Sequence, residues 1–212
     1  MPATTEKEKR APKRGRPREF DREAALCAAM ELFWRKGFTA TSIAELCAAM
    51  GINSPSLYAA FGSKEALYEA AIRQYQEAHG PLVWGGFSEA PTARDAIESL
   101  LLCSAEALPR PDKPLGCMVT LASVGDEGHA GLKALLVEQR AHTLQRIHER
   151  LKRAVAEGEL SRNVEPLPIA RFYAGVQQAM SIQARDGATR EDLQAMARLA
   201  MKTWKTLTEA SR

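Results

Sequence analysis

TSIAELCAAMGINSPSLYAAFGSKEALYEAAI, residues Thr41–Ile72, sets two very short apolar-periodic segments on either side of a Gly-Ile-Asn-Ser-Pro turn and follows them with Tyr-x-x-Phe-Gly-Ser-Lys. Ser42 and Glu45 have the spacing of a capping box, with Ile43, Leu46 and Cys47 as the inward stripe of a helix that stops at Gly51. Asn53 is a good N-cap, and Pro55 falls in the first turn, where its missing N–H costs nothing; a short helix therefore runs from about Ser54 to Ala60. Gly62 ends it, and Ser63 caps a further helix to about Ala78. Upstream, Asp21 caps a helix with Leu26, Met30 and Phe33 on one face, closed by Gly37. Two helices joined by a short Gly-containing turn, with another packed behind, form a helix-turn-helix unit of the kind that enters DNA. Leu57 and Phe61 are expected to anchor its second helix through Leu46 and Phe33, leaving Ser54, Pro55, Ser56, Ala59 and Ala60 outward.

The rest of the composition supports a globular, nucleic-acid-directed protein. In 212 residues, 45% hydrophobic and 26% charged, there is enough apolar sequence for a sizeable core. The net charge of +3 is unevenly spread: residues 1–18 hold seven Lys/Arg against Glu6 and Glu8, a surplus of five, and the remainder sums to −2. An N-terminal basic arm of this kind suits a polyanion. With no long apolar run and no apolar N-terminus, neither a membrane span nor a signal peptide is expected, and the location is expected to be cytoplasmic. Cys27, Cys47, Cys103 and Cys117 show no CxxC pair, His142 and His148 are spaced wrongly for one helix face, and no metal site or cofactor is expected. No nucleophile elbow, phosphate loop or Ser/His/Asp constellation points to an enzyme.

Beyond a Gly/Pro/Trp connector from Gly80 to Pro91, helical periodicity continues over about 92–108, in GCMVTLASVG, and over about 131–157, 167–186 and 189–210. The expected inward residues of the last three helices include Leu136, Leu144, Ile147, Leu151 and Val155, then Ile169, Phe172, Val176 and Ala179, and finally Leu193, Met196, Ala200, Thr203 and Leu207. No strand pattern and no repeat occurs, so the expected fold class is all-α: a basic arm at 1–18, a helix-turn-helix domain at 19–62, a connecting helix at 63–78 and a helical domain at 79–212.

The stretch from Leu32 to Ile72 resembles the DNA-binding segment of the TetR family of transcriptional regulators, in Gly37, Thr41, Gly51, Leu57, Tyr58, Phe61, Lys64 and Leu67 and in the spacing between them. The resemblance implies a homodimer through the helices at 167–186 and 190–210, a C-terminal core that takes a small-molecule effector, and double-stranded DNA as partner. It also implies that Thr41 or Ser42, Tyr58 and Lys64 meet phosphates, roles that hydroxyls, Lys and helix N-termini serve chemically. Base reading then falls to Ser54, Pro55, Ser56 and Ala59 with Asn53 beside them. With no Arg, Lys, Gln or His in this helix, a bidentate base contact is open only to Asn53, and the small residues are suited to thymine methyls.

Met118, Leu121, Phe172, Tyr173 and Val176 are the candidates to touch an effector, expected to be apolar or uncharged. The function expected is a homodimeric repressor released from a palindromic operator by that molecule. One alternative is a repressor that senses oxidants or electrophiles through the thiol of Cys117 or Cys103, since Cys117 follows Gly116 at a helix start with Lys113 nearby. Another is an architectural DNA-binding protein, against which the long C-terminal domain argues. In KRGRPREF, Lys13–Phe20, Arg14 and Arg16 have the setting of a minor-groove arm. Deleting residues 1–16 should therefore reduce the steepness with which operator affinity falls with salt; an unchanged slope would remove the arm from the interface.

Overall fold

The computed structural model describes residues 21–122 and 129–209, and among these every regular element is a helix. These are α1 (Arg22–Lys36), α2 (Ile43–Met50), α3 (Ser54–Phe61), α4 (Lys64–Trp84), α5 (Ala93–Ala107), α6 (Met118–Leu121), α7 (Ala130–Ala156), α8 (Pro166–Arg185), α9 (Arg190–Lys202) and α10 (Trp204–Thr208). The N-terminal starts follow local capping chemistry. Asp21 accepts from the Glu23 and Ala24 N–H groups, Ser42 and Glu45 form a reciprocal capping box, and Asn53 and Ser63 cap α3 and α4. The all-α expectation holds.

Two cores result. In the head, α1 packs on α2 and α4 around Phe33, whose ring meets Tyr68 edge-on at 4.9 Å, and Leu46, Leu57, Leu67 and Ile72 are fully buried. In the body, α5 packs on α9 and α7 on α8, around Leu100, Leu101, Ile147, Leu151 and Tyr173. The head is not self-contained: Met118 and Val119 of α6 and Leu132 and Leu136 of α7 complete its core.

The joint between them is the segment Lys113–Cys117. The Trp34 indole N–H donates to the Gly116 carbonyl at 3.1 Å, and the Cys117 N–H donates to the Ser181 hydroxyl at 2.8 Å. Arg185, at the end of α8, donates to the Leu115 carbonyl at 2.8 Å and to the Trp34 carbonyl at 3.1 Å. Lys113 pairs with Glu31 of α1 at 2.7 Å. One short stretch of backbone thus ties α1 to α8, through one buried and several part-buried hydrogen bonds that are each worth roughly 1 kcal/mol.

Three expectations are corrected. The connecting helix does not end at Ala78: α4 continues through Gly80 and Pro81 to Trp84. Pro81 and Glu77, the residue whose carbonyl loses its helical donor, are both exposed, on the solvent side of the helix. On α8 the inward face is Ile169, Ala170, Tyr173, Ala174, Gln177, Met180 and Ser181, not Phe172 and Ala179; the helix has apolar residues on both sides, and periodicity alone does not say which is buried. The last expected helix is broken at Thr203, whose hydroxyl bonds the Ala200 carbonyl, giving α9 and α10.

Gly116 has φ +75°, and a Cβ there would stand 2.5 Å from Leu121 Cδ1 and 2.6 Å from the Ser181 carbonyl oxygen. Gly158 has φ +81° with nothing within 4 Å. Gly158→Ala should therefore cost about 1 kcal/mol from the left-handed backbone alone, and Gly116→Ala at least ~3 kcal/mol because strain and overlap combine. Urea denaturation of the two variants measures the difference.

Candidate nucleic-acid interface and helical-core cavity

The outward face of α3 is built by what lies beneath it. Leu57 and Phe61 turn inward, and Ser54, Pro55, Ser56 and Ala59 are exposed, with the Tyr58 ring 48% exposed beside them. Asn53 spends its side-chain oxygen on the Ser56 N–H at 2.9 Å. The cap uses one lone pair of that oxygen and leaves the other and the amide NH2 unused, so a base contact by Asn53 is compatible with the cap. Ser42 is exposed at the N-terminus of α2, whereas Thr41 is 1% exposed and donates its hydroxyl to the Gly37 carbonyl at 2.6 Å. The Lys64 ammonium sits 4.3 Å over the Phe38 ring at the start of α4, and burial holds its pKa below the ordinary lysine value against the opposing pull of Glu65 and Glu45. Arg14 and Arg16 lie outside the described residues.

Farther along α4 a cavity of about 300 Å³ opens between α4, α6, α7 and α8. Tyr75, Gln76, His79, Val83 and Trp84 come from α4; Cys117, Val119 and Thr120 from the joint and α6; Gln139, Arg140, His142, Thr143 and Arg146 from α7; Gln177 and Gln178 from α8. Leu108 adds apolar surface. The wall touches the head directly. Tyr75 and His79 stack on each other at 4.9 Å, and each meets the Trp34 ring edge-on at 4.8 and 4.9 Å. Burial, reinforced by Arg110 and Lys113, holds His79 below the ordinary imidazole pKa, and burial followed by the Cys117 thiol pushes the Tyr75 phenol well up.

The family model "Bacterial regulatory proteins, tetR family" matches residues 25–71. Over 196 residues the chain is 32% identical to the HTH-type transcriptional repressor ComR of Escherichia coli, spanning 92% of this chain and 93% of that protein. The chain belongs to the TetR family. It is likewise 32% identical to the HTH-type transcriptional repressor BdcR of Escherichia coli, over 97% of this chain and 98% of that protein. A solved structure of a cysteine-substituted form of the TetR family transcriptional regulator CifR, complexed with 26-base-pair double-strand operator DNA, superposes with a TM-score of 0.84. That structure is 37% identical, covering 90% of this chain and 100% of that chain. As a TetR family member the protein is a DNA-binding transcriptional regulator and not an enzyme.

Within this TetR fold the sequence-derived candidates fall into separate places. Ser42, Asn53, Ser54, Pro55, Ser56, Tyr58, Ala59 and Lys64 share the α2–α3 side of the head, with Thr41 buried beneath it. None of Met118, Leu121, Phe172, Tyr173 and Val176 lines the central cavity. Met118 belongs to the head core, Tyr173 is fully buried in the body, Val176 packs partly against the same core and Phe172 is 39% exposed. Leu121 lines a smaller hollow beside Trp34 and Arg185. Cys117 does line the central cavity, and the ammonium of Lys113 is paired with Glu31. Cys103 is partly buried on α5 with the Ser99 hydroxyl 3.9 Å away. The cavity is lined largely by Gln, Arg, His and Thr from four helices, residues that carry no periodic signal in the sequence.

The capping box generates an acid-sensitivity test. Lys36, followed by the Ser42 N–H and hydroxyl, holds the Glu45 carboxyl down at about 2 against an ordinary 4.5. Since the folded value is the lower one, the contribution is complete above pH 4.5 and disappears as pH falls towards 2. Glu45→Gln should melt below the unaltered protein at pH 7, with the gap closing on acidification, and Ser42→Ala should cost about 1 kcal/mol as a lost cap. A gap in melting temperature that stays constant with pH would assign the Glu45 effect to something other than its charge.

Proposed function

We propose that the protein is a homodimeric repressor that leaves a palindromic operator when a small molecule occupies the cavity between α4, α6, α7 and α8. One observation carries this reading: Tyr75 and His79 belong to the cavity wall and also pack against Trp34 of the head. A molecule that moves them moves α4, the helix whose first turn lies beside α3. The molecule must bind the DNA-incompetent arrangement more tightly than the competent one, since equal binding shifts nothing. Ser42, Tyr58 and Lys64 are the phosphate-positioning groups, Thr41 supports the turn from beneath, and Asn53, Ser54, Pro55, Ser56 and Ala59 form the base-facing surface. The basic arm with Arg14 and Arg16 adds charge to the same partner.

The dimer reading is supported by the outer side of α8, where Phe172, Gly175, Ala179 and Ile182 form a stripe at three- and four-residue spacing, with Ile182 51% exposed. On α9, Leu199 is 61% exposed. A four-helix contact with a second copy would bury these residues, and two recognition helices would then address half-sites about one helical turn apart or a multiple of it.

Selection of bound sequences from a random duplex library tests the reading. A two-fold-symmetric consensus is expected; salt-sensitive binding without a consensus would favour an architectural role. Ile182→Glu should give monomers with operator affinity lowered at least tenfold, read by sedimentation and gel shift; a dimer that persists would place the interface elsewhere. Val176 is unsuitable for this test because it packs on its own core.

One observation favours thiol sensing as a second reading: Cys117 stands in the cavity wall beside the Tyr75 phenol, and CifR was solved with cysteines substituted. Mass spectrometry after mild peroxide or quinone exposure should find adducts on Cys117 before Cys103. Loss of DNA binding with both thiols unmodified would end it.

A further inference from the structure

The central cavity is lopsided in charge. Its charged lining groups are Arg140 and Arg146, with no Asp or Glu among the lining residues; His79 is held below the ordinary imidazole pKa, and His142 faces Glu138 at 4.0 Å. The Arg140 guanidinium is held by the Val119 and Ala122 carbonyls at 3.3 and 3.4 Å, contacts that orient it without neutralising it. Arg146 lies with its guanidinium carbon 4.0 Å over the Trp84 ring and 5.9 Å from that of Phe87, and it pairs with no carboxylate among the described residues. Burial lowers its pKa, the mark of a cation partly stripped of water without a compensating anion. Acids on the same helix are turned to other partners: Glu138 faces His142 at 4.0 Å, and Glu149, on the groove beyond Arg146, pairs with Lys152 at 3.2 Å.

Resting on the reading of this cavity as the effector site, we propose that the molecule it takes is a small amphiphile with one anionic group, a carboxylate on an aromatic or short alkyl body. This replaces the uncharged molecule expected from the sequence. Arg146 is exposed and shared with the neighbouring groove, which puts it at the edge of the cavity, where a carboxylate keeps part of its hydration while meeting the planar N–H fork. Arg140 is the deeper, fixed cation. Val83, Trp84 and Leu108 supply the apolar surface for the body. A neutral occupant would cover the Arg140 guanidinium and return no charge to it or to Arg146, the costly way to fill this space.

Calorimetric titration of the full chain with 2-naphthoate and octanoate, each against its primary amide, tests the assignment. The acid of at least one pair should bind about tenfold more tightly than its amide, the weight of one charge-assisted hydrogen bond. Arg146→Gln should abolish that preference and Arg146→Lys should retain part of it, each with only a small drop in melting temperature from the altered contact with the Trp84 ring. Equal affinities within both pairs, a preference that survives Arg146→Gln, or no binding by any of the four overturns the proposal. Release of the selected operator duplex is read separately. Arg146-dependent carboxylate binding without DNA release supports the anion site and defeats the effector reading. Release by the amides alone defeats the anion site and leaves the effector reading standing.

Discussion

The Gly116 carbonyl, receiving the Trp34 indole N–H in a space with no room for a Cβ, is the constraint on which the arrangement of head and body depends. If that peptide shifts, Trp34 loses its partner, and Arg185 loses the geometry that lets one guanidinium bind both the Leu115 and Trp34 carbonyls. A guanidinium spanning two carbonyls from different parts of the chain tolerates little sliding, because its donors are fixed in one plane. The head is consequently locked to the end of α8, and the completion of its core by Met118, Leu132 and Leu136 extends that lock into α6 and α7.

α4 gives this rigidity a direction. Its 21 residues make a rod about 31 Å long, capped by Ser63 beside α3 and ending at Trp84 in the cavity wall. The aromatic contacts of Tyr75 and His79 with Trp34 lie part-way along it. In the proposed repressor, an occupant of the cavity would act by moving this one helix against the Trp34 contact, with no chain of small adjustments through the head.

What could be read from the sequence was what is local. Asp21, the Ser42–Glu45 pair, Asn53 and Ser63 declare helix starts because each caps a backbone N–H within three residues of itself, and these starts are where the residue pattern puts them. Pro81 misleads because a proline inside a helix can be tolerated where the helix lies on the surface, and that placement is a tertiary property. Phe172 and Tyr173 are adjacent and both aromatic; only packing decides that Tyr173 enters the core. The cavity was least legible of all. Its charge character arises when Arg140 and Arg146 meet Gln177 and His79 from other helices, and no window of sequence contains that meeting.

The plainness of α3 has one last consequence. Ser54, Pro55, Ser56 and Ala59 have almost no side-chain freedom to lose, so covering this surface freezes few rotamers and its entropy penalty is small. Complementarity on such a face comes from the contour of the backbone and a few methyl and hydroxyl groups, which cannot reshape themselves around an ill-fitting partner. A long side chain at Pro55, Ser56 or Ala59 would supply a new set of donors on the exposed side, because the helix is held from beneath by Leu57 and Phe61, with Ala60 packed partly beside them. As the proposed base-facing surface, the same helix is rigid in what it would accept and open to being rewritten by single substitutions.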